Sequence, residues 1–471
     1  MLFNSIEYIF FFLPITFYIY FFLLKKHLIV GAKAFLVFAS LFFYSWWNPI
    51  YLPIILVSML FNYTIGNILT KDASHTRVSK KSIVIFGIVS NIALLGYFKY
   101  ADFFIENFNY IWNENVGLYH LALPLGISFF TFQQISYLVD SYRGETKEYD
   151  FLNYALFVTF FPQLIAGPIV HHKEMMPQFA SKWNLVKNYK NIATGLFIFS
   201  IGLFKKVVIA DQFAIWATNG FEHAQTLNMI EAWTTSLSYT FQLYFDFSGY
   251  TDMAIGAALL FNIKLPQNFN SPYKAKDIQE FWRRWHITLS HFLRDYIYIP
   301  LGGSRVKEIY IYRNLIITFL LGGLWHGAGW TFVFWGFLHG MALVIHRIWK
   351  KLGFIMNSIF AWFITFNFIN IAWVFFRAKD FNNALEILYK MFNISSFDSI
   401  FNYLTINKVT DSIFFILGAF IIIFLKNSNE LMAQFKPNKK YLILIIIYSV
   451  ISLYAILYMQ NRVSEFLYFD F

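Results

Sequence analysis

Stretches of about 20 mostly apolar residues recur along the chain, at 7–24, 28–47, 49–70, 82–98 and onward to 441–459, separated by short polar or basic turns. A helix of that length crosses the hydrocarbon core of a bilayer. The pattern therefore predicts an all-α polytopic membrane protein with about 11–13 membrane helices. The first stretch has no basic start and no small-residue cleavage site, so it is expected to be a retained helix and not a removable signal. Two connections break the rhythm: a basic one at 171–190 and a long amphipathic segment at 264–313. The second is too charged to span as one lipid-facing helix and too aromatic to float in water. It is expected to lie in the interface or to re-enter the protein, because irregular backbone at membrane depth persists only when buried or facing a wet cavity. No internal repeat is evident, so the pattern divides into one transmembrane domain, 1–460, with a core at 120–350, and an aromatic tail, 461–471.

Composition sharpens this picture. With 58% hydrophobic, 22% aromatic and only 13% charged residues, the chain has more apolar side chain than a soluble domain can bury, so membrane lipid is its expected solvent. The formal charge of +11 suggests nucleic acid at first, but the basic residues sit in short loops between apolar spans, where Lys and Arg mark the cytoplasmic side. Nucleic acid is excluded on that ground. Lys25 and Lys26 after the first stretch, and Lys71, Arg77, Lys80 and Lys81 after the third, place the N-terminus outside. Lys436, Lys439 and Lys440 precede the last stretch and only Arg462 follows it, which places Phe471 outside as well. Cysteine is absent, so covalent chemistry must use oxygen or nitrogen.

Several polar residues interrupt the apolar background. His326 lies in LLGGLWHGAGW, within an apolar run and bracketed by Gly322, Gly323, Gly327 and Gly329. An ionisable group there usually faces the bundle interior and marks a functional path, and the glycines allow neighbouring backbones to approach closely. The plainer alternative is a neutral histidine bonded to a carbonyl on a packed helix. His286 lies in EFWRRWHITLSHFLRD, where helical spacing predicts Trp282 and His286 on one face and Arg283 and Arg284 on another. Two arginines flanked by indoles suit a phosphate-bearing ligand, or else anchor the segment to lipid headgroups. Asp246 and Asp252 interrupt a further apolar stretch, either as a proton relay or, more simply, paired with Arg283 or Arg284. His339 points elsewhere on its helix and is read as structural; His171 and His172 are read as solvated. Gly126, Pro124 and Pro162 look like helix interruptions around a cavity. No metal-ligand spacing occurs, so no metal is expected. The tail NRVSEFLYFDF ends in aromatic residues. Nine extended residues reach up to ~30 Å, enough for Tyr468 to return to the middle of the bilayer, ~15 Å from either surface of its core. An interfacial anchor is the alternative reading of the same tail.

At LPLGISFFTFQ, FFPQLIAGPIV, QLYFDFSGYTDMAIG, NFNSPYKAKDIQEFWRRWHITLS and GGLWHGAGW the chain resembles the membrane-bound O-acyltransferase family, in its bacterial branch. The resemblance runs from about residue 35 to 350 in order. It implies helices around a central funnel, an acyltransferase of the bacterial cytoplasmic membrane, and acetyl-CoA as donor. It also implies a catalytic role for His326 and a second one for His286. Trp282, Arg283, Arg284, Trp285 and Trp325 become candidates for lining the donor and substrate funnels, with Asp246 and Asp252 in support. The tail FLYFDF resembles a C-terminal aromatic-tyrosine motif that a related system carries on a small partner protein, which makes Tyr468 a candidate acyl relay. The implied acceptor is an envelope polysaccharide, peptidoglycan or alginate, reached directly or through a serine hydrolase-like partner of the SGNH type. A proton-coupled exporter using Asp246 and Asp252, and a scaffold that only recruits the transferase, are the readings from other classes.

Overall fold

A computed structural model describes residues 1–70, 78–146, 150–393, 415, 418, 420–422, 424–458, 466 and 467. Lys71, Arg77, Arg462 and Tyr468 lie outside the described residues. The described elements are helical throughout. In chain order the principal helices are α1 (Glu7–Lys25), α2 (Ile29–Ser45), α3 (Pro49–Thr70), α4 (Lys80–Trp112), α5 (Ile127–Tyr142), α6 (Phe151–Thr159), α7 (Tyr189–Glu222) and α8 (Met229–Leu260). They continue with α9 (Ile278–Trp282), α10 (Ile287–Leu293), α11 (Glu308–His326), α12 (Trp330–Lys351), α13 (Ser358–Arg377), α14 (Phe381–Phe392) and α15 (Lys439–Tyr458). Their starts follow local chemistry: the Ser79, Asp150, Asn357 and Asp380 side chains each accept a hydrogen bond from a backbone N–H in the first turn of the helix that follows.

Among the described residues, seven helices are long and apolar enough to cross a membrane: α1, α3, α4, α7, α12, α13 and α15. The protein is multi-pass, with fewer such helices than the 11–13 expected from apolar runs. The difference has a physical source. Helix α2 has 17 residues and α5 has 16, and α8, although 32 residues long, carries serines, threonines, a glutamine and aspartates. Every residue of 238–263 is buried, so α8 meets protein and not lipid and does not need an apolar surface. The spans in contrast carry large exposed side chains such as Ile15, Val57, Phe104, Ile345 and Phe363, a surface suited to lipid.

Backbone contacts group the chain into two units. The first comprises Met1–Ser200, Tyr250–Pro266 and Lys436–Ile446. Within it, Gly126 caps α5 with a left-handed φ of +69°, where a Cβ would sit 3.1 Å from the Leu164 carbonyl oxygen, and Pro162 lies in the first turn of the four-residue helix Phe161–Leu164. Both are helix interruptions, as their residue types predict. His172, expected to be solvated, is instead 2% exposed, with ring centres 5.3 Å from Tyr137 and 5.4 Å from Phe157. Burial pushes its pKa down to about 4, because a charged imidazole loses its hydration there.

The second unit comprises Ile201–Gly249, Gln267–Phe435 and Ile447–Phe471. Its centre is the hairpin of α11 and α12. A Cβ on Gly323 would strike the Phe332 carbonyl oxygen, and one on Gly336 the Phe319 carbonyl oxygen. Only glycine permits the two backbones to touch in this way. The short extended turn Gly327–Gly329 then joins the helices, leaving His326 as the last residue of α11.

Candidate active site

Three other segments of the second unit converge on His326 at the end of α11. Its ring centre lies 5.3 Å from Trp335 on α12, 5.1 Å from Phe376 on α13 and 6.4 Å from His286. His326 is 3% exposed and His286 fully buried. Trp325 joins them, 4% exposed, with its ring 6.2 Å from His286. Two imidazoles with ring centres 6.4 Å apart, walled by indole and phenyl faces, form a buried cluster that could hold and pass a proton away from bulk water. The carbonyl end of α11 faces His326, and the negative pole of a helix favours the charge an imidazole acquires while holding a proton.

His286 reaches this cluster through a break in the helix. Helix α9 ends at Trp282, and His286 adopts φ 42°, ψ 54° before α10 begins. A single continuous helical face carrying Trp282 and His286, the expected arrangement, therefore does not form. The left-handed turn sends the two side chains apart: Trp282 Nε1 donates to His339 Nδ1 at 3.2 Å, while His286 turns toward His326. A non-glycine residue in this conformation costs about 1–2 kcal/mol, and such strain collects at functional sites. It is held here by neighbouring bonds. Ile287 N–H donates to the Asn268 carbonyl at 3.0 Å and Asn270 N–H to the Arg284 carbonyl at 2.9 Å.

The Asn268 side chain sets the state of His286. Its Oδ1 accepts from Thr288 N–H at 3.2 Å and Thr288 Oγ1 at 3.0 Å, and it lies 3.2 Å from His286 Nδ1. An amide oxygen only accepts, so this network assigns the proton to Nδ1 and makes Nε2 the acceptor nitrogen. For the acyl transfer that the sequence resemblance implies, replacing Asn268 by alanine is expected to lower the rate about tenfold, the scale on which loss of an orienting second partner acts, while the fold persists. Single-turnover rates with acyl donor, compared with thermal unfolding of the same variant, check this. An unchanged rate removes Asn268 from the machinery.

The other predicted residues are distributed differently. Trp285, 1% exposed, stacks on Phe281 with ring centres 5.6 Å apart and packs on Trp373 at 5.1 Å. Arg283 is exposed. Arg284 pairs with Glu280 at 2.7 Å and donates to the Asn270 carbonyl at 3.1 Å. The expected pairing of Asp246 with these arginines is thus replaced by another: Asp246 Oδ1 lies 2.7 Å from Lys206 Nζ. Lys206 is closer to hand, because it stands on α7 where that helix packs against α8. Asp252 is buried in the part of α8 that belongs to the first unit.

Sequence reasoning missed Asn268 and Lys206. The first carries no signal of its own in an irregular segment. The second had one, since a lysine within the apolar run FIFSIGLFKKVVIA is as costly in lipid as the carboxylates that were noticed. Among the described residues no group of three His, Cys, Asp or Glu side chains could hold a metal.

The described end of the tail returns to this region. Phe466 is 2% exposed, with its ring 5.7 Å from Phe247, and the Phe247 ring lies 4.8 Å from His286. Leu467 N–H donates to Asp246 Oδ2 at 3.1 Å.

Residues 9–379 match the family model described as MBOAT, membrane-bound O-acyltransferase family. The chain is 56% identical over 427 residues to a peptidoglycan O-acetyltransferase of Helicobacter pylori, covering 84% of this chain and 80% of that protein. It is 41% identical over 406 residues to a probable alginate O-acetylase of Pseudomonas aeruginosa, covering 84% and 76% respectively. A teichoic acid D-alanyltransferase of Bacillus subtilis is 28% identical over 289 residues, covering 56% of this chain and 71% of that one.

Proposed function

Because the chain belongs to the membrane-bound O-acyltransferase family, we propose that it takes an acetyl group from cytoplasmic acetyl-CoA and delivers it to peptidoglycan outside the cytoplasmic membrane, through His326 and Tyr468. The observation that carries this reading is the course of the tail. Phe466 sits on Phe247, which touches His286, and Tyr468 follows two residues later, within about 7 Å of chain.

In the first step the Tyr468 phenol oxygen attacks the thioester carbonyl while His326 takes the phenolic proton. The C–O bond forms, the C–S bond breaks, and the proton on His326 passes to the departing thiolate to give free coenzyme A. His286, fixed by Asn268, orients the reacting groups. In the second step a sugar hydroxyl, or the serine of an SGNH-type partner, attacks the acetyl-tyrosine; the new C–O bond forms as the tyrosyl C–O bond breaks, and His326 takes the proton of the attacking hydroxyl and gives it to the departing phenolate. The order of leaving groups favours this direction: a thiol at about 8.5 and a phenol at about 10 both leave more readily than a sugar alkoxide. Arg283, Trp282, Trp325 and the Arg284 guanidinium are the groups from which a donor funnel for the phosphates of coenzyme A would be built.

Peptidoglycan is preferred to alginate as acceptor because the similarity to the peptidoglycan enzyme is greater, 56% against 41%. The basic turns at Lys25 and Lys26 and at Lys80 and Lys81 support a cytoplasmic donor side with both termini outside. Membership of an acyltransferase family leaves the exporter and scaffold readings without an observation in their favour.

The test is the mass of the tail peptide after incubation of the purified protein with acetyl-CoA. One acetyl group is expected in the wild type and none in Tyr468→Phe. Acetylation that persists in Tyr468→Phe moves the relay to another residue. Loss of O-acetyl groups from muropeptides on deletion identifies the acceptor, and their retention points to an exopolysaccharide.

A further inference from the structure

Helices α7 and α8 touch through glycine. A Cβ on Gly249 would stand 2.8 Å from the Gly202 carbonyl oxygen and 3.1 Å from Lys206 N. Just beyond this contact α7 passes through a π-helical turn, Lys205–Ala210, a local widening that is frequent at functional sites. Nearly one turn before Gly249 stands Asp246. Its Oδ1 is 2.7 Å from Lys206 Nζ, and the same ammonium is 2.7 Å from Asp211 Oδ1. Side-chain exposures are 2% for Lys206, 5% for Asp211 and 1% for Asp246. A buried charge of this kind is costly unless it is paired and hydrogen-bonded. Two carboxylates share one ammonium here, and the second oxygen of Asp246 takes its hydrogen from the tail, at Leu467 N–H.

From this juxtaposition we propose that Asp246, charge-balanced by Lys206, is a positioning residue that docks the C-terminal tail for acyl transfer; the role assigned to the docked tail rests on the relay reading above. Docking has two points. The Phe466 ring packs on Phe247, and the Leu467 N–H meets a carboxylate oxygen held rigid by Lys206. Because the second contact is made by backbone, it depends on an N–H at position 467 and not on the leucine side chain. The next residue is Tyr468, so the post that holds Leu467 fixes the nucleophile to within one residue. A single charge-assisted bond is also weak enough to release, which lets the tail leave its post between turnovers.

Proline at 467 removes the N–H and leaves the buried triad untouched, whereas alanine keeps the N–H. Since the chain has no cysteine, Asp470→Cys gives a single thiol whose maleimide labelling rate reports tail release. Leu467→Pro is expected to speed labelling about 10- to 100-fold and to slow tail acetylation in proportion, with the KM for acetyl-CoA unchanged. Leu467→Ala is expected to match the parent in both, and Asp246→Asn to shift labelling in the direction of Leu467→Pro. Equal labelling of the Leu467→Pro and Leu467→Ala proteins overturns the docking role. If labelling responds as expected while the wild-type tail carries no acetyl group, docking stands and the relay reading falls.

Discussion

Replacing His326 by alanine is expected to slow acetyl transfer by about 10²–10⁴-fold, the range supplied by a positioned general base. The cluster offers no ready substitute. His286 is the nearest imidazole in the site, with ring centres 6.4 Å apart, but its Nδ1 is committed to Asn268 and its backbone to a left-handed turn, so it has little freedom to move into the vacated place. Trp325, Trp335 and Phe376 pack against the His326 ring, with ring centres 4.9, 5.3 and 5.1 Å away. The loss should fall on the rate of the chemical step and not on donor binding, because the role proposed for His326 is on a proton in flight and the proposed funnel for coenzyme A lies with other residues. His326→Gln, closer in size, is expected to keep the fold and to be as inactive as alanine. Single-turnover acetylation of the tail and steady-state KM for acetyl-CoA, measured on both variants, separate the two effects. Near-wild-type single-turnover rates in His326→Gln would sink the general-base assignment.

Lys206→Met should have the largest effect on stability, about 3–5 kcal/mol, the cost of removing one partner from a buried ion cluster. The apolar replacement fits an apolar helix, so on hydropathy alone it looks benign or favourable. The sign comes from what it leaves behind: Asp211 and Asp246, both buried and both having lost the ammonium at 2.7 Å. Adding Asp246→Asn to Lys206→Met removes one of the stranded charges and is expected to recover a good part of the loss, although Asp246→Asn alone lowers stability. That non-additivity is the signature of a shared charge network. Thermal unfolding in detergent of the two single variants and the double variant measures it. Simple addition of the two losses would show that Lys206 and Asp246 do not depend on each other.

These two residues also mark the line between what could be read along the chain and what could not. His326 was legible because a titratable side chain in an apolar, glycine-rich run has few inexpensive explanations, and the hairpin of α11 and α12 places it where that cost is met by indole and phenyl walls. Gly126 and Pro162 were legible for the same local reason: glycine admits the left-handed backbone that other residues avoid, proline suits the first turn of a helix, and the structure uses each in that way. His286 was legible as a candidate but not in its geometry. Helical spacing assigned it to the face of Trp282, whereas bonds from Asn268 and Asn270, more than a dozen residues away, hold the chain in a left-handed turn that spacing cannot anticipate.

Charge pairing followed the same division. Asp246 needed a cation, and the sequence offered Arg283 and Arg284 on a conspicuous amphipathic segment; the fold supplied Lys206 from α7 instead, and gave Arg284 to Glu280 one helical turn away. Composition and hydrophobic period by themselves determined that this chain is a helical, multi-pass membrane protein, because the cost of polar groups in lipid acts on each segment separately. The tertiary structure alone decided which polar groups meet: His286 with His326, Asn268 with His286, Lys206 with Asp246, and the tail with Asp246. Those partners are separated by 18 to more than 200 residues, and only the packing of helices through glycine contacts and broken turns brings them within bonding distance.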